Sequence, residues 1–356
     1  MVYDVFGWTR DGLIDELGRR YGKGAFHADA LFRHLYSSGT ADVRSLDEFR
    51  PAPGLAKRIA EDLRVELPSI VSRQDDGGTR KFTLPTADGN RTESVVIPMD
   101  DWNTLCVSSQ LGCARGCAFC QTARMGLIRN LAAAEIVVQW AVVRHVLGLP
   151  VRNLVFMGMG EPFDNFDAVL DAIDILSDPR GADIPKRRIS LSTVGHVEGI
   201  ERLTRLDRKQ PEKAWRSLHL AVSLNAPDDA LRERLMPVNR IWPLERLKAA
   251  LVDAPQSKNK DALYIEYVLI PGVNDREVHA DRLIEWMDGL EAKVNLIPYH
   301  PRRQSPWQAP DDDDLQRFHR RIRESGRECR TRRSRGKGIE AACGMLGGPP
   351  RAASSE

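Results

Sequence analysis

The amino-acid sequence predicts an α/β fold: six strand–helix units arranged as an open or partial barrel, preceded by a small helical module and a β-hairpin connector. Three observations carry this expectation. From Thr104 onward, β-rich runs of about six residues, an ordinary strand length, alternate with helical stretches, and strands joined through helices pair in parallel. Before residue 65 the apolar residues recur only at helical spacing. Between these regions two short β-rich runs flank Ala87-Asp88-Gly89-Asn90, which is hairpin-turn chemistry. Six units are two short of the closed eight-stranded barrel, so a partial barrel is the first expectation and a doubly wound sheet its competitor. Both put the chemistry in loops that follow strands.

In chain order, helices are expected over Asp11–Arg20, Ala28–Tyr36 and Leu55–Leu63, broken by Gly22, Gly24, Gly39 and the stretch from Pro51 to Gly54. They make residues 1–65 an accessory helical domain. The hairpin strands are Thr79–Pro85 and Thr92–Ile97, within a connector over 66–99. Core strands follow at Leu105–Ser109, Asn153–Met159, Arg188–Ser192, His219–Leu224, Leu263–Leu269 and Lys293–Ile297. Helical runs between them include Ala133–Leu147, Phe166–Leu176, Leu244–Val252 and Arg282–Leu290. The barrel is expected over 100–347, with a mobile small-residue tail at 348–356.

At 356 residues, 42% apolar and 29% charged, the chain has the composition of a globular protein. Its longest apolar stretch, Leu131 to Pro150, is interrupted by Glu135, Gln139, Arg144 and His145, so no membrane span of ~20 apolar residues is expected. The first ten residues show no basic segment followed by an apolar core, which predicts a cytoplasmic, reducing address for the six cysteines. The net charge of +2 is an average. Residues 317–337 hold ten Lys or Arg against Glu324 and Glu328, a net of +8 that leaves the remainder at −6. That strip reads either as a solvated helix face with its loop or as a phosphate-binding surface.

Directly after the first core strand comes Cys113-Ala-Arg-Gly-Cys117-Ala-Phe-Cys120. Three thiols within eight residues can turn toward one centre, and in a reducing compartment that centre is a metal before it is a disulfide. Structural zinc would need a fourth protein ligand, which this spacing does not supply. A [4Fe-4S] cluster held by three thiolates instead leaves one iron open to an outside ligand. The second core strand runs into Met157-Gly-Met-Gly160-Glu161-Pro162, a glycine pair followed by a carboxylate able to accept from an ammonium group.

The Cys-x3-Cys-x2-Cys spacing, with Phe119 before the last cysteine, resembles the signature of the radical S-adenosylmethionine (SAM) superfamily. The resemblance implies a partial (β/α)6 radical SAM barrel, a [4Fe-4S] cluster on Cys113, Cys117 and Cys120, and SAM as cofactor. It implies SAM contacts at Gly160, Glu161, Ser192, Ser223, Leu224, Asn225 and His300. A narrower resemblance, to the RlmN/Cfr-type RNA adenine methyltransferases, rests on Thr104-Leu-Cys106, Gly78-Thr-Arg-Lys81, Glu93-Ser-Val-Val-Ile-Pro98, Lys293 to Pro301 and Gly338-Ile-Glu-Ala-Ala-Cys343. It covers nearly the whole chain.

That family methylates carbon 2 or carbon 8 of adenine, an electrophilic sp2 carbon that cannot attack the methyl group of SAM directly. The resemblance implies a relay in which Cys343 takes a methyl from one SAM and a radical from a second SAM activates it for addition to the ring. Cys106 then resolves the adduct through a transient disulfide with Cys343, and Glu93 removes the ring proton. It further implies RNA, ribosomal or transfer, as partner, an electron donor such as flavodoxin or ferredoxin, and a monomeric enzyme. The helices of 1–65 and the 317–337 strip are the candidate RNA contacts, with the target base taken out of its stack. Cys329 matches no family position and is read as structural. The family's usual Ser-Leu-His and Asn are here Ser223-Leu224-Asn225 and His300, read as a reciprocal exchange across one ligand. Two other functions fit parts of the pattern: a radical SAM enzyme acting on a peptide or small molecule, which needs neither the strip nor Cys343, and a metal-stabilised RNA-binding protein without catalysis.

Overall fold

The computed structural model describes residues 3–258, 262–302, 304–332, 336–342 and 344–347. Cys343, residues 333–335 of the basic strip and the tail 348–356 lie outside the described residues.

Three helices open the chain: α1 (Arg10–Tyr21), α2 (Ala25–Ser38) and α3 (Pro53–Asp62). Thr9 caps α1 by accepting from the Gly12 amide, and α1 and α2 stop where Gly22 and Gly39 enter the left-handed region. Their inner face is not a separate core. Phe6, Tyr36 and Trp140 pack ring on ring at 5.5 and 5.8 Å, and Arg10 bridges to Asp178 at 3.0 Å, so the module shares one hydrophobic core with the barrel.

The strands are β1 (Ser72–Asp76), β2 (Thr79–Pro85), β3 (Arg91–Pro98), β4 (Asn103–Cys106), β5 (Gln110–Gly112), β6 (Leu127–Asn130), β7 (Val151–Phe156), β8 (Ile189–Thr193), β9 (His219–Ser223), β10 (Leu263–Leu269), β11 (Lys293–Pro298) and β12 (Cys329–Thr331). One ten-stranded sheet has the order β1-β2-β3-β4-β7-β8-β9-β10-β11-β12, and β5 pairs with β6 apart from it. From β4 to β12 every neighbour is parallel. The crossovers run through α4 (Ala133–Ala141), α5 (Phe166–Ser177), α6 (Val197–Lys209), α7 (Asp229–Leu235) with α8 (Leu244–Asp253), α9 (Glu277–Trp286) and α10 (Asp312–Glu324). This is the partial barrel, its six units followed by a short seventh parallel strand.

The hairpin needs correcting from connector to sheet. β3 pairs antiparallel with β4, Val95 opposite Cys106, so the sheet runs unbroken across the boundary drawn at residue 99. The basic strip also divides. Along α10 and β12, Arg317, Arg321, Arg327 and Arg330 pair with Asp314, Asp281, Asp288 and Glu328, which is the solvated-face reading for that part. Among the described residues no helix is long and apolar enough to cross a membrane.

Two buried polar networks fix the barrel rim. Gln139 of α4 accepts from Ser94 (2.7 Å) and the Ser108 amide (2.8 Å) and donates to the Ser108 carbonyl (2.9 Å), locking β3 to the segment after β4. Fully buried Arg232 of α7 donates to the carbonyls of Val194 (2.6 Å) and Leu224 (3.2 Å) and to Asn239 (2.8 Å), covering the carboxyl ends of β8 and β9. Arg232→Met keeps the volume but strands those acceptors, at about 1 to 3 kcal/mol each. It is expected to lower stability by about 3 kcal/mol or more, read as a lower urea midpoint at unchanged m-value.

Candidate active site

The carboxyl ends of the parallel strands open into a cavity of about 140 Å3. Cys113, Cys117 and Cys120 line it, on the loop between β5 and β6. The chain itself shapes that loop. The Cys113 amide donates to Gly126 (2.9 Å), the Cys120 amide to the Cys117 carbonyl (3.1 Å) and the Ala118 amide to Leu235 (2.8 Å), while Arg302 donates to Ala118 (2.8 Å). Cys113 and Cys117 are buried and Cys120 partly so. Burial pushes the Cys113 thiol up to about 12 and the Cys117 thiol well above its ordinary range, and each thiolate charge disfavours the others. Thiols buried and crowded in this way resist ionisation unless a cation sits beside them, so the donor set fits a metal group. Among the described residues no three His, Cys, Asp or Glu side chains are grouped to hold a single metal ion. A [4Fe-4S] cluster makes no such demand, since each thiolate binds its own iron.

Glu161 lies at the turn after β7, buried, and its two oxygens accept from the Phe163 (3.2 Å) and Val194 (2.8 Å) amides, tying that turn to the loop after β8. The glycines before it serve the chain first. A Cβ at Gly158 would stand 2.6 Å from the Val107 carbonyl, and one at Gly160, with φ of 104°, 2.6 Å from Gln110. They let this turn pack on the segment after β4, and both also face the cavity. Burial raises the Glu161 pKa to about 6, partly offset by the amide donors.

Of the residues expected at the cofactor, Gly160, Glu161, Ser192, Ser223, Asn225 and His300 line this cavity. Leu224 does not. Its side chain is fully buried in the core, and its amide and carbonyl are taken by Glu266 and Arg232, because alternate residues of β9 point away from the lumen. Asn225, at φ of 59°, accepts the Val268 amide at 2.8 Å and so also links β9 to β10.

Glu93 and Cys106 stand on the neighbouring strands β3 and β4, outside the lining of this cavity, and the carboxyl-terminal segment returns across both. Lys81 lies 3.2 Å from Glu93 and donates to the Glu340 carbonyl at 3.4 Å; the Gly347 amide donates to Glu93 at 2.9 Å. The Gln121 amide donates to Gly344 (2.6 Å) and Thr122 to the Leu346 carbonyl (2.6 Å). Ala341 and Leu346 pack in one apolar cluster with Cys106, Val95, Val155 and Met159. The residues on either side of Cys343 are thus held over Cys106, Glu93 and the thiol loop. Cys329 is buried on β12, away from the cavity lining, and burial pushes its thiol up to about 12.

Two cavity residues escaped the sequence reading. Glu266 of β10 is buried, accepts from Asn295 at 2.8 Å, and keeps Oε2 without a hydrogen-bond partner 3.9 Å from Arg332. A lone Glu inside Leu-Tyr-Ile-Glu-Tyr-Val-Leu was the available signal for it. Arg332 was counted only as one charge of the strip.

The pattern of the Radical SAM superfamily matches residues 107–284. The dual-specificity RNA methyltransferase RlmN of Syntrophobacter fumaroxidans is 41% identical over 337 residues, covering 94% of this chain and 95% of that one. The enzyme of the same name from Halorhodospira halophila is 40% identical, over 94% of this chain and 90% of its own. The chain belongs to the RlmN family. A crystal structure of a radical SAM methyltransferase from Sphaerobacter thermophilus superposes with a TM-score of 0.83 at 36% identity, over 96% of this chain and 98% of that one. The RlmN-family chain described here is therefore an enzyme with the radical SAM fold.

The Glu161 carboxylate supplies a pH test. Its folded pKa, about 6, lies above the ordinary 4.5, so the folded state holds the extra proton between these values and stability falls as pH rises through that window. Relative to Glu161→Gln, the wild-type protein should lose about 1 kcal/mol between pH 4.5 and 6 in urea titrations, and about 2 kcal/mol across the whole titration from well below 4.5 to well above 6.

Proposed function

We propose that this chain methylates an adenine ring carbon, carbon 2 or carbon 8, in ribosomal or transfer RNA. The observation that carries the reading is the placement of the carboxyl-terminal segment on either side of Cys343: it packs on Cys106, donates to Glu93, and at Gly344 borders the cavity that the three thiols line. The names of the RlmN relatives support RNA as the substrate class.

Cys113, Cys117 and Cys120 would hold a [4Fe-4S] cluster, and Glu161, Ser192, Ser223, Asn225 and His300 are the residues for SAM, with Glu161 accepting from its ammonium group. When bound, cluster and SAM supply a transferable methyl group and the one-electron chemistry that activates a C–H bond. The single electron is taken from a small carrier such as flavodoxin or ferredoxin, and the enzyme works as a cytoplasmic monomer. Cys343 carries the methyl group. Its flanking glycine and the few bonds that hold its segment suit a residue that must approach first cofactor and then base. Glu93 removes the proton from the ring carbon, held in place by the Lys81 ammonium 3.2 Å away and the Gly347 amide. Cys106, as its thiolate, then attacks the Cys343 sulfur: an S–S bond forms, the S–C bond to the adduct breaks with its electron pair left on the methylene carbon, that carbon takes up a proton to become the methyl group, and the methylated base leaves. Such an exchange needs the two β-carbons within about 4.5 Å, which the shared apolar cluster around Cys106 favours.

Cys106→Ala should therefore accumulate a covalent adduct of protein and RNA under turnover conditions, detected as a slow-migrating band sensitive to both protease and ribonuclease. Recovery of only free enzyme and free RNA would contradict the relay. Glu93→Gln should bind SAM as wild type does while turning over about 10^2- to 10^4-fold more slowly, the usual worth of a positioned base.

A further inference from the structure

The thiol loop after β5 and the loops that follow β7 and β8 are joined behind the cavity by one carboxylate. Asp164, in the turn Pro162–Asn165, receives a forked pair of hydrogen bonds from Arg115, Nε to Oδ2 at 2.7 Å and Nη2 to Oδ1. Arg115 stands between Cys113 and Cys117 in the chain. On its other side Asp164 faces His196 Nε2 at 3.4 Å. His196 Nδ1 accepts the Gly199 amide at 3.0 Å, so the neutral ring carries its proton on Nε2, directed at Asp164. Trp242 closes the group, 5.2 Å from the Arg115 guanidinium and 4.2 Å from the His196 ring. The three polar side chains are between 13% and 17% exposed, so the pair is largely withdrawn from water and removing one partner strands the other. Burial alone would raise the Asp164 pKa, but the hydrogen bonds from His196 and Arg115 hold it below the ordinary range.

We propose that Asp164, Arg115 and His196 form a charge clamp that fixes the turn between Cys113 and Cys117 and sets the electrostatic field at the iron–sulfur group this loop holds. The inference rests on the cofactor reading above. A forked guanidinium–carboxylate pair has one geometry, whereas a single hydrogen bond pivots, so the fork holds the turn in one orientation. Reduction adds an electron to a group already surrounded by three thiolates. A nearby positive charge therefore favours the reduced form and a negative charge opposes it. All three are positioning residues: they stand behind the loop, outside the cavity lining.

The test is the midpoint potential of the anaerobically reconstituted holoenzyme, followed by electron paramagnetic resonance, with iron release to a chelator measured in parallel. Arg115→Met should shift the potential to more negative values and Asp164→Asn to less negative ones, while both release iron faster than wild type. Arg115→Lys keeps the charge without the fork, and should hold a potential near wild type yet still release iron faster. Opposite shifts cannot come from general loosening, which would move both variants the same way. Wild-type potentials in both charge variants would overturn the clamp alone. A wild-type chain that takes up no iron would overturn the cofactor reading and the clamp with it.

Discussion

The docking of the carboxyl-terminal segment across the barrel mouth is the constraint on which the remaining chemistry depends. Among the described residues it is held by hydrogen bonds with Asp76, Lys81, Gln121, Thr122 and Glu93, partners that come from β1, β2, the thiol loop and β3. Leu346 adds a buried apolar anchor, in one cluster with Cys106, Val95 and the partly buried Ala341. In the relay proposed above the methyl carrier must reach first a cofactor and then a nucleotide, and this docking brings the residues on either side of Cys343 to the thiol that would resolve it.

The rest of the rim is rigid by comparison. Glu161 ties the turn after β7 to the loop after β8, Arg232 covers the ends of β8 and β9, and Asn225 joins β9 to β10. These are buried polar groups with directed partners, which fix geometry more tightly than apolar contacts do. Gln139 extends the same device to β3, the strand that carries Glu93. A stiff ring of loops around a separately docked carboxyl-terminal segment keeps the groups beneath it in fixed positions. The antiparallel strands belong to the barrel sheet for a related reason: β3, which carries Glu93, is hydrogen-bonded to β4, which carries Cys106.

Much of this was legible in the sequence, for identifiable reasons. The core strands announce themselves because both of their faces are covered, which makes them short apolar runs; β10 begins and ends where the pattern predicts. The thiol loop and Glu161 are legible because their spacing is local. What was missed depends on tertiary structure. β1, Ser-Arg-Gln-Asp-Asp, is a polar edge strand with no alternation to detect, and β12 is three residues inside a charge run. Leu224 sits among cavity residues in sequence but points the other way, a consequence of strand alternation that a motif does not express. Arg115, Asp164 and His196 are far apart in the chain and meet only when three loops close on one rim. Glu266 was readable as a lone acid in an apolar strand, yet only the structure shows that its second oxygen lacks a partner.

The relay requires the sulfurs of Cys106 and Cys343 to reach bonding distance in the docked state. Mild anaerobic oxidation of the reconstituted enzyme with a thiol-specific oxidant, followed by peptide mass mapping, measures this directly. A Cys106–Cys343 disulfide formed faster than any pairing of Cys343 with Cys113, Cys117 or Cys120 is the expected product. A Cys343 that stays reduced, or links only to the thiol loop, would contradict the placement of the methyl carrier over its resolving thiol.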